Sequence, residues 1–331
     1  MLFLRRSVLA VLLTASLSLL SGVASAAEPL TVGYSDWPGW VAWEVAIQKG
    51  FFKDEGVDVA FKWFEYGPSM DAFTASKIDA VLVTNGDALV TGANGRVSTA
   101  ILLTDYSNGN DMIVGKPGIA TIKDLKGKKV GLELNLVENL MLVKALEANG
   151  LKDTDVTLVN VPTNDTPQAL AAGGVDAIGA WYPVAGQALK QVAGSKAIFT
   201  SADMPGLIYD GLYVGRESLA ARRAEWVKVV KVWIKTLAFI NDPKTHEEAV
   251  KIMAARVQVA PKDYEASMKG TFLLDLPGNV KALTKGDGLD SVYGSSKISD
   301  AFSVKAGVYK KAQDIDTYFD GSLIKEISDK K

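Results

Sequence analysis

The sequence contains no cysteine and a single histidine, His246, among its 331 residues. Disulfide bonds, thiolate nucleophiles and lipid attachment through an N-terminal cysteine are therefore excluded. A Ser–His–Asp arrangement would have to use His246, which lies in the polar segment PKTHEEA, and a metal site built on several His and Cys ligands is impossible. These absences argue against an enzyme. Acid–base chemistry by paired carboxylates is the catalytic alternative that stays open.

The chain also lacks a large excess of either charge, with 36 Lys and Arg, 38 Asp and Glu and a net charge of −2 at pH 7. Nucleic acid and anionic membrane surfaces are therefore not expected partners. No P-loop pattern for ATP is present, and beyond residue 26 no apolar run reaches the length of a membrane span. We expect a soluble monomer without a metal or cofactor, whose partner in binding is a small molecule.

The first 26 residues have the layout of a secretory signal peptide. Arg5 and Arg6 precede the apolar stretch SVLAVLLTASLSLL, and Ala24-Ser25-Ala26 offers a small-residue cleavage site. The alternative is an uncleaved N-terminal helix. We predict that residues 1–26 are removed on export and that the protein works in the periplasm.

Short apolar runs alternate with helical patterns from Leu30 to about Thr200. The predicted strands are LTVGY, VDVAFKWF, DAVLVT, TAILLT, KKVGLEL, VTLVNV, DAIGAW and KAIFT. The predicted helices between them are VAWEVAIQKGFF, SMDAFTAS, VENLMLVKALEANG and TPQALAA. This alternation favours parallel βαβ units, so the fold class is α/β.

Two segments of the chain are similar to each other. GPSMDAFTASKIDAV (67–81) aligns without gaps on NDTPQALAAGGVDAI (164–178), each a helix followed by an aliphatic-Asp-Ala-aliphatic strand start. Such a pair is typical of two similar lobes. We predict one discontinuous lobe from residues 27–114 and 209–331, with a helical C-terminal extension, and a second lobe from residues 115–208. The extended segments DMIVGK (111–116) and DGLYVG (210–215) are the predicted crossings.

The segment VGYSDWPGWVAWEVAIQKGFFKDEGVDVAF resembles the opening of periplasmic substrate-binding proteins of the sulfonate, nitrate and taurine type, a group that is similar to thiamine-precursor synthases. DLKGKKVG (124–131) and the Asp-Ala strands at 79 and 176 fit the same family. The resemblance implies a bilobed, type II periplasmic-binding-protein fold with two parallel or mixed sheets. It also implies delivery of a small solute to the membrane permease and cytoplasmic ATPase of an ABC importer. YSDWPGW and TNGDALVTG look closest to binding proteins associated with urea-carboxylase genes.

Ligands of open parallel sheets bind at the carboxyl ends of the strands. That rule selects six loops here: SDWPGW (35–40), TNGD (84–87), TDYSNGND (104–111), ELNLVEN (133–139), AWYP (180–183) and YDG (209–211). These loops contain seven carboxylates and six Trp or Tyr side chains but no Lys, Arg or His. Carboxylates pair with planar N–H donors, and indole faces attract cations. We therefore predict a small nitrogen-rich polar or cationic ligand of the guanidine, urea or amine type.

The predicted ligand-binding residues are Asp36, Trp37, Trp40, Thr84, Asn85, Asp105, Glu133, Glu138, Trp181, Tyr182 and Asp210. Asp36 and Glu133 are expected to accept the ligand's N–H groups from opposite lobes, between Trp37, Trp40 and Trp181.

Several alternatives stay open at this point. Asp36 could cap the helix that follows it, Asp87 fits a cap better than a ligand, and Glu138 could complement a helix N-terminus. Trp43 and Trp63 fit the core better than the site. The same fold could bind a small anion such as sulfonate, taurine or nitrate through helix N-termini. It could also report its solute to a membrane receptor.

Overall fold

The structure is a computed structural model and describes residues 28–329, so the predicted signal peptide lies outside the described residues. The strands are β1 Leu30–Tyr34, β2 Val59–Trp63, β3 Ala80–Thr84, β4 Ser98–Ser107, β5 Asp111–Gly115, β6 Lys129–Leu132, β7 Thr157–Asn160, β8 Ala177–Trp181, β9 Lys196–Thr200, β10 Tyr209–Gly215 and β11 Thr271–Leu273. The helices are α1 Pro38–Val41, α2 Trp43–Lys49, α3 Phe51–Glu55, α4 Tyr66–Thr74, α5 Asn85–Ala93, α6 Val137–Ala148, α7 Thr166–Ala171, α8 Val184–Gln191, α9 Arg216–Asn241, α10 His246–Arg256, α11 Pro261–Ser267, α12 Leu276–Ala282, α13 Val292–Lys305 and α14 Ser322–Ser328.

The strands form two mixed sheets. One has six strands in the order β11-β4-β10-β3-β1-β2, and the other has five in the order β7-β6-β8-β5-β9. We call the chain around the six-stranded sheet the first lobe and the chain around the five-stranded sheet the second lobe. In each sheet two parallel pairs adjoin an antiparallel strand, which is β10 beside β3 and β5 beside β8. The internal similarity seen in the sequence therefore corresponds to α4–β3 and α7–β8, at equivalent places in the two sheets.

The predicted crossing segments turn out to be strands of the sheets. β5 pairs along its whole length with β8, so the predicted boundary between residues 114 and 115 falls inside a strand of the second lobe. The chain crosses instead at residues 108–110, and it returns between β9 and β10. Extended backbone was predicted correctly for both segments. Both are strands inside a sheet, β5 between β8 and β9 and β10 between β4 and β3, and a short extended segment does not show locally whether it pairs on both sides.

The C-terminal helices cover the first lobe. In α9, Trp226 and Trp233 are fully buried, and Trp233 packs on Trp43 of α2 with ring centroids 4.9 Å apart. Lys231 and Lys235 of the same helix pair with Glu55 and Asp54 of α3. None of the helices within residues 28–329 is long and apolar enough to cross a membrane.

The helix predicted for VAWEVAIQKGFF is interrupted. Gly50 adopts a left-handed conformation (φ 72°) and ends α2, because its backbone N–H bonds to the carbonyls of Ala46 and Ile47. A glycine adopts this conformation without the steric cost that other residues meet. The break turns α3 so that Phe51 and Phe52 are both buried.

Candidate functional site

A small cavity lies between the two lobes, at the carboxyl ends of the central strands. Its lining consists of aromatic, aliphatic and acidic side chains: Trp37, Trp40, Tyr66, Thr84, Asp111, Val137, Trp181, Ile208 and Asp210. We call this space the inner cavity. Asp111, Val137 and Trp181 come from the second lobe, and most of the remaining lining comes from the first. About 10 Å³ is open to the centre of a water molecule, which in this closed arrangement is room for about one water.

The tryptophans of the loop after β1 form one wall. Pro38 occupies the first turn of α1, where its missing N–H costs nothing, and Trp37 is the N-terminal flanking residue. The Trp37 Nε1–H donates to Asp105 Oδ1 at 2.9 Å. Trp40 stacks on Tyr66 with ring centroids 5.5 Å apart, and its own Nε1–H is buried without an acceptor among the described residues. The wall is therefore held in place at Trp37 and offers a free donor at Trp40.

Asp111 and Asp210 face the inner cavity from opposite lobes. Both are 2% exposed, and the Oδ2 atom of each lacks a hydrogen-bond donor within residues 28–329. Their positions follow from strand register, since Asp111 is paired with Trp181 across β5–β8 and Asp210 with Thr84 across β10–β3. Burial raises the pKa of Asp111 to about 6 and that of Asp210 well above its usual value. Two carboxyls from opposite lobes thus line a space that no basic side chain lines.

Each of these carboxyls has a second carboxyl behind it. Asp210 neighbours Asp105, whose pKa is raised to about 7, chiefly by burial. Asp111 neighbours Glu138, whose pKa burial and the Asp111 charge raise well above the usual range. Like charges at such short range cannot both stay ionised in a dry site, so each pair holds a proton when the cavity is empty.

A second space, the outer cavity, lies on the other side of Trp181 and Tyr66. Its lining is Ser35, Asp36, Trp63, Phe64, Glu65, Tyr66, Glu133, Thr163, Asn164 and Trp181. Asp36 Oδ1 accepts the Trp181 Nε1–H at 2.9 Å, a bond between the lobes. Burial is the main cause that raises the pKa of Asp36 to about 6 and that of Glu133 to about 7.

The structure divides the predicted site residues among three places. Trp37, Trp40, Thr84, Trp181 and Asp210 line the inner cavity. Asp36 and Glu133 line the outer cavity together, from opposite lobes, and do not line the inner cavity. The remaining four stand behind or beside the cavities: Asn85, Asp105, Glu138 and Tyr182.

These four have other partners. Asn85 donates to Ser295 and Ser296 and accepts the Tyr209 N–H, so it joins β3, β10 and α13. Tyr182 lines neither cavity. Asp105 and Glu138 do not line the inner cavity, but they lie next to Asp210 and Asp111, which do. Their contribution to a site is electrostatic.

Three alternative interpretations are corrected. Asp36 does not cap α1, which has no side-chain cap. Asp87 does not cap α5 either, because the cap is Thr84, which accepts the Asp87 N–H at 3.1 Å. The Asp87 carboxylate accepts Tyr66 O–H at 2.6 Å and, across the lobes, the Val137 N–H at 3.3 Å. Trp63 was assigned to the core but is 40% exposed and lines the outer cavity.

Sequence reasoning left out Tyr66 and Asp111, which line the inner cavity. Asp111 lies in one of the six selected loops and carried the same signal as Asp105, so it could have been found. Tyr66 follows β2, whose carboxyl end was not among those loops. Within residues 28–329 no group of three or more His, Asp or Glu side chains is arranged to hold a metal ion.

Gly39 lets the loop after β1 approach Asp105 closely. A Cβ at this position would lie 1.8 Å from Asp105 Oδ2. We expect Gly39→Ala to destabilise the protein by about 1–3 kcal/mol, because the added methyl group would push the buried Asp105 carboxyl aside and disturb its hydrogen bond to Trp37. Urea unfolding measures this. Gly174→Ala is the matched control, since its new methyl would meet nothing nearer than 3.5 Å; equal losses in the two variants would contradict the close approach.

Solved structures with this architecture come from binding proteins. The periplasmic aliphatic sulphonate binding protein of Escherichia coli superposes with a TM-score of 0.71 at 19% identity, covering 90% of this chain and 99% of that one. The periplasmic nitrate-binding protein of Synechocystis PCC 6803 superposes with a TM-score of 0.71 at 13% identity, covering 91% and 88%. The predicted bilobed periplasmic-binding-protein fold is therefore confirmed.

Sequence relatives agree with the fold. A Brucella abortus protein named "Putative binding protein" is 29% identical over 271 residues, which are 80% of this chain and 82% of that protein. Residues 37–245, more than half of the chain, match the family described as NMT1/THI5 like. The chain belongs to the NMT1/THI5-like family.

Proposed function

We propose that this protein is a periplasmic solute-binding protein that captures a small nitrogen-rich polar or cationic solute in the inner cavity and delivers it to an ABC importer. Family membership and relatives named as binding proteins support the class. The partners would be a membrane permease and its cytoplasmic ATPase. The predicted cleavage after residue 26, the periplasmic location and the monomeric state belong to the same proposal, as does the likeness to urea-carboxylase-associated proteins.

One observation carries the choice of ligand. Asp111 and Asp210 line the inner cavity from opposite lobes, each with a second carboxyl beside it, and none of the nine lining residues is Lys, Arg or His. A carboxylate buried without a partner is costly. A bound guanidinium, amine or urea would supply the missing N–H donors, and the faces of Trp37, Trp40 and Trp181 would favour a cation by roughly 0.5–2 kcal/mol each.

The names of the relatives favour a different ligand, a small anion such as a sulfonate or nitrate. An anion in the inner cavity would lie against Asp111 and Asp210 and near Asp87, Asp105 and Glu138. Each ionised carboxylate would oppose it by roughly 1 kcal/mol or more. The free Trp40 N–H is a lining group that suits an anion or a urea oxygen. The repulsion of an anion by these carboxylates outweighs the attraction of this N–H donor.

An enzyme on the same fold is the remaining class. The desulfurization enzyme DSZB superposes with a TM-score of 0.64 at 14% identity, so the fold alone does not decide. His246 bonds to Glu265 and to the Ile240 carbonyl on the outside of the first lobe, and it lines neither cavity. We propose that the chain binds its solute without converting it. Recovery of unchanged solute after long incubation, followed by NMR, tests this.

The ligand is tested by calorimetry with guanidinium chloride, urea, methylamine, taurine and nitrate at pH 8 and constant ionic strength. We expect at least one of guanidinium, urea and methylamine to bind. We expect neither taurine nor nitrate to bind. Tight binding of taurine or nitrate alone would overturn the proposed ligand class. A sensor role is separated from transport by testing whether the loaded protein stimulates the ATPase of its permease in membranes.

A further inference from the structure

Three tryptophans line the inner cavity, and the indole N–H groups of two of them already have acceptors. Trp37 donates to Asp105 and Trp181 donates to Asp36, each at 2.9 Å. The Trp40 Nε1–H belongs to a residue that is 2% exposed, and it has no acceptor within the described part of the chain. Such a group is uncommon, because it loses its hydrogen bond to water and gains none in return. The Trp40 N–H therefore requires an acceptor from outside the described chain.

The loop after β1 and the ring of Tyr66 hold Trp40 in place. The Trp40 backbone N–H bonds to the Trp37 carbonyl at 3.0 Å in the short helix α1. Its indole stacks on Tyr66 with ring planes 22° apart, and it meets the Trp37 ring with centroids 6.5 Å apart. Tyr66 is fixed in turn, because its O–H donates to Asp87 at 2.6 Å. The indole of Trp40 cannot turn toward another acceptor without losing these contacts.

Closure of the lobes makes this donor selective. The inner cavity lies between the lobes, so water reaches its lining while the lobes are apart and can accept the Trp40 N–H. A solute that binds in the open cleft and is then enclosed replaces that water. A solute with an acceptor atom restores the hydrogen bond, whereas a solute with N–H groups alone leaves the buried donor unsatisfied.

We propose that Trp40 is a specificity-determining residue and that it selects a solute with a carbonyl oxygen. The proposal rests on the proposed function, since it concerns the solute bound at the same cavity. Asp111 and Asp210 line that cavity with carboxyls that accept N–H groups, and Trp40 donates one. A small molecule with a carbonyl oxygen beside its N–H groups matches both, which describes a urea or a primary amide. Guanidinium and methylamine match the carboxyls alone.

A nitrate oxygen would also accept the Trp40 N–H. Nitrate has no N–H group to offer Asp111 and Asp210, however, and their charges repel it. The combination of one free donor with two carboxyls therefore selects a molecule that both donates and accepts hydrogen bonds.

Urea and guanidinium test this role of Trp40, because they share a planar shape and differ at one group. Urea has a carbonyl oxygen where guanidinium has a third amino group. Trp40→Phe keeps a ring that can stack on Tyr66 but removes the N–H. We expect the Kd for urea to rise about tenfold or more in this variant, because the enclosed carbonyl oxygen is left without a donor. The Kd for guanidinium should change by less than about threefold. Calorimetry at pH 8 measures both.

Trp181→Phe is the matched control. Trp181 also lines the inner cavity, but its N–H already bonds to Asp36, which lines the outer cavity instead. This variant removes an indole and a bond between the lobes for both solutes, so the Kd for urea relative to that for guanidinium should not rise. An equal rise of this ratio in both variants would show that the size of the ring, and not the free N–H, decides between the solutes.

The indole N–H resonance of Trp40 reports the hydrogen bond in isotope-labelled wild-type protein, and its absence from the Trp40→Phe spectrum assigns it. Saturating urea should move this resonance downfield, and guanidinium should not. If none of urea, guanidinium and methylamine binds to the wild type, the proposed function fails and this inference with it. If guanidinium binds and urea does not, or if both lose the same affinity in Trp40→Phe, the proposed function stands and only the role of Trp40 is wrong.

Discussion

The ligand-free protein is expected to close as the pH falls from 8 to 5, and a bound guanidinium is expected to close it at pH 8. Closure buries carboxyls of both lobes that are hydrated when the lobes separate. Burial raises the pKa of Asp36, Asp87 and Asp111 to about 6 and that of Asp105 and Glu133 to about 7. Glu138 and Asp210 are raised further.

The sign follows from proton uptake. A carboxyl with a raised pKa binds more protons in the closed form than in the open or unfolded form between about pH 4 and pH 7. Its contribution to the closed, folded state is therefore complete below pH 4 and is lost as the pH rises through 6 and 7. For Asp111, which is 2% exposed, a pKa raised to about 6 corresponds to about 3 kcal/mol of closed-state stability lost between low and high pH. Several such carboxyls act together, and separation of the lobes removes the cost of burying their charges.

Ion pairs between exposed side chains of the two lobes should not reverse this pH dependence of closure. Lys190 pairs with Asp263 at 2.6 Å and Lys305 with Glu147 at 3.4 Å, each pair joining a helix of one lobe to a helix of the other. These pairs are solvent-accessible, so each contributes roughly 0–1 kcal/mol and is screened by salt.

Small-angle scattering measures the closure. The radius of gyration should fall with decreasing pH when no ligand is present, and it should stay low at pH 8 with saturating guanidinium. The thermal midpoint of the ligand-free protein should be higher at pH 5 than at pH 8. A ligand-free protein that is equally compact at both pH values, or more compact at pH 8, would contradict the buried, unpaired carboxylates.

The positions of most strands along the chain could be predicted, because periodicity and turn residues mark each strand locally. LTVGY, DAVLVT and DAIGAW appear as β1, β3 and β8 with changes of at most one residue at either end. β11 could not be predicted, because TFL is a strand only through its pairing with Ser107, Tyr106 and Asp105 of β4. Membership of a sheet depends on a distant partner in such cases, and no local pattern records it.

The chemistry of the site could be predicted further than its geometry. The six loops contain every carboxylate that lines the two cavities except Glu65, and half of the six aromatic rings. Sequence cannot show that Trp181 stands between Asp36 and Asp210, since that depends on how one lobe closes on the other. We therefore propose that Asp111 joins the predicted Asp210 as a ligand contact at the inner cavity, in place of Asp36 and Glu133.

Asp111→Asn is expected to weaken guanidinium binding while it makes the ligand-free protein more stable at pH 8. The amide keeps the shape of the side chain but removes the charge that Asp111 places beside Glu138 in the empty cavity. Loss of one charge-assisted hydrogen bond should cost about 1.5–3 kcal/mol of binding free energy, or about a tenfold to hundredfold rise in Kd. Urea, which is neutral, should lose much less. Asp210→Asn should act in the same direction from the other lobe.

The opposite signs separate a ligand contact from a structural defect, because a variant that merely misfolds loses binding and stability together. Calorimetry gives Kd, and urea unfolding of the ligand-free protein gives the free energy of unfolding. Asp300→Asn is the matched control: Asp300 is a buried carboxylate of α13 that accepts Tyr309 O–H at 2.8 Å and lines neither cavity, so its Kd should equal that of the wild type. Unchanged guanidinium affinity in both Asp111→Asn and Asp210→Asn would show that the inner cavity is not the binding site. Tighter binding of nitrate or taurine in the same variants would show that the carboxylates repel the natural ligand instead of holding it.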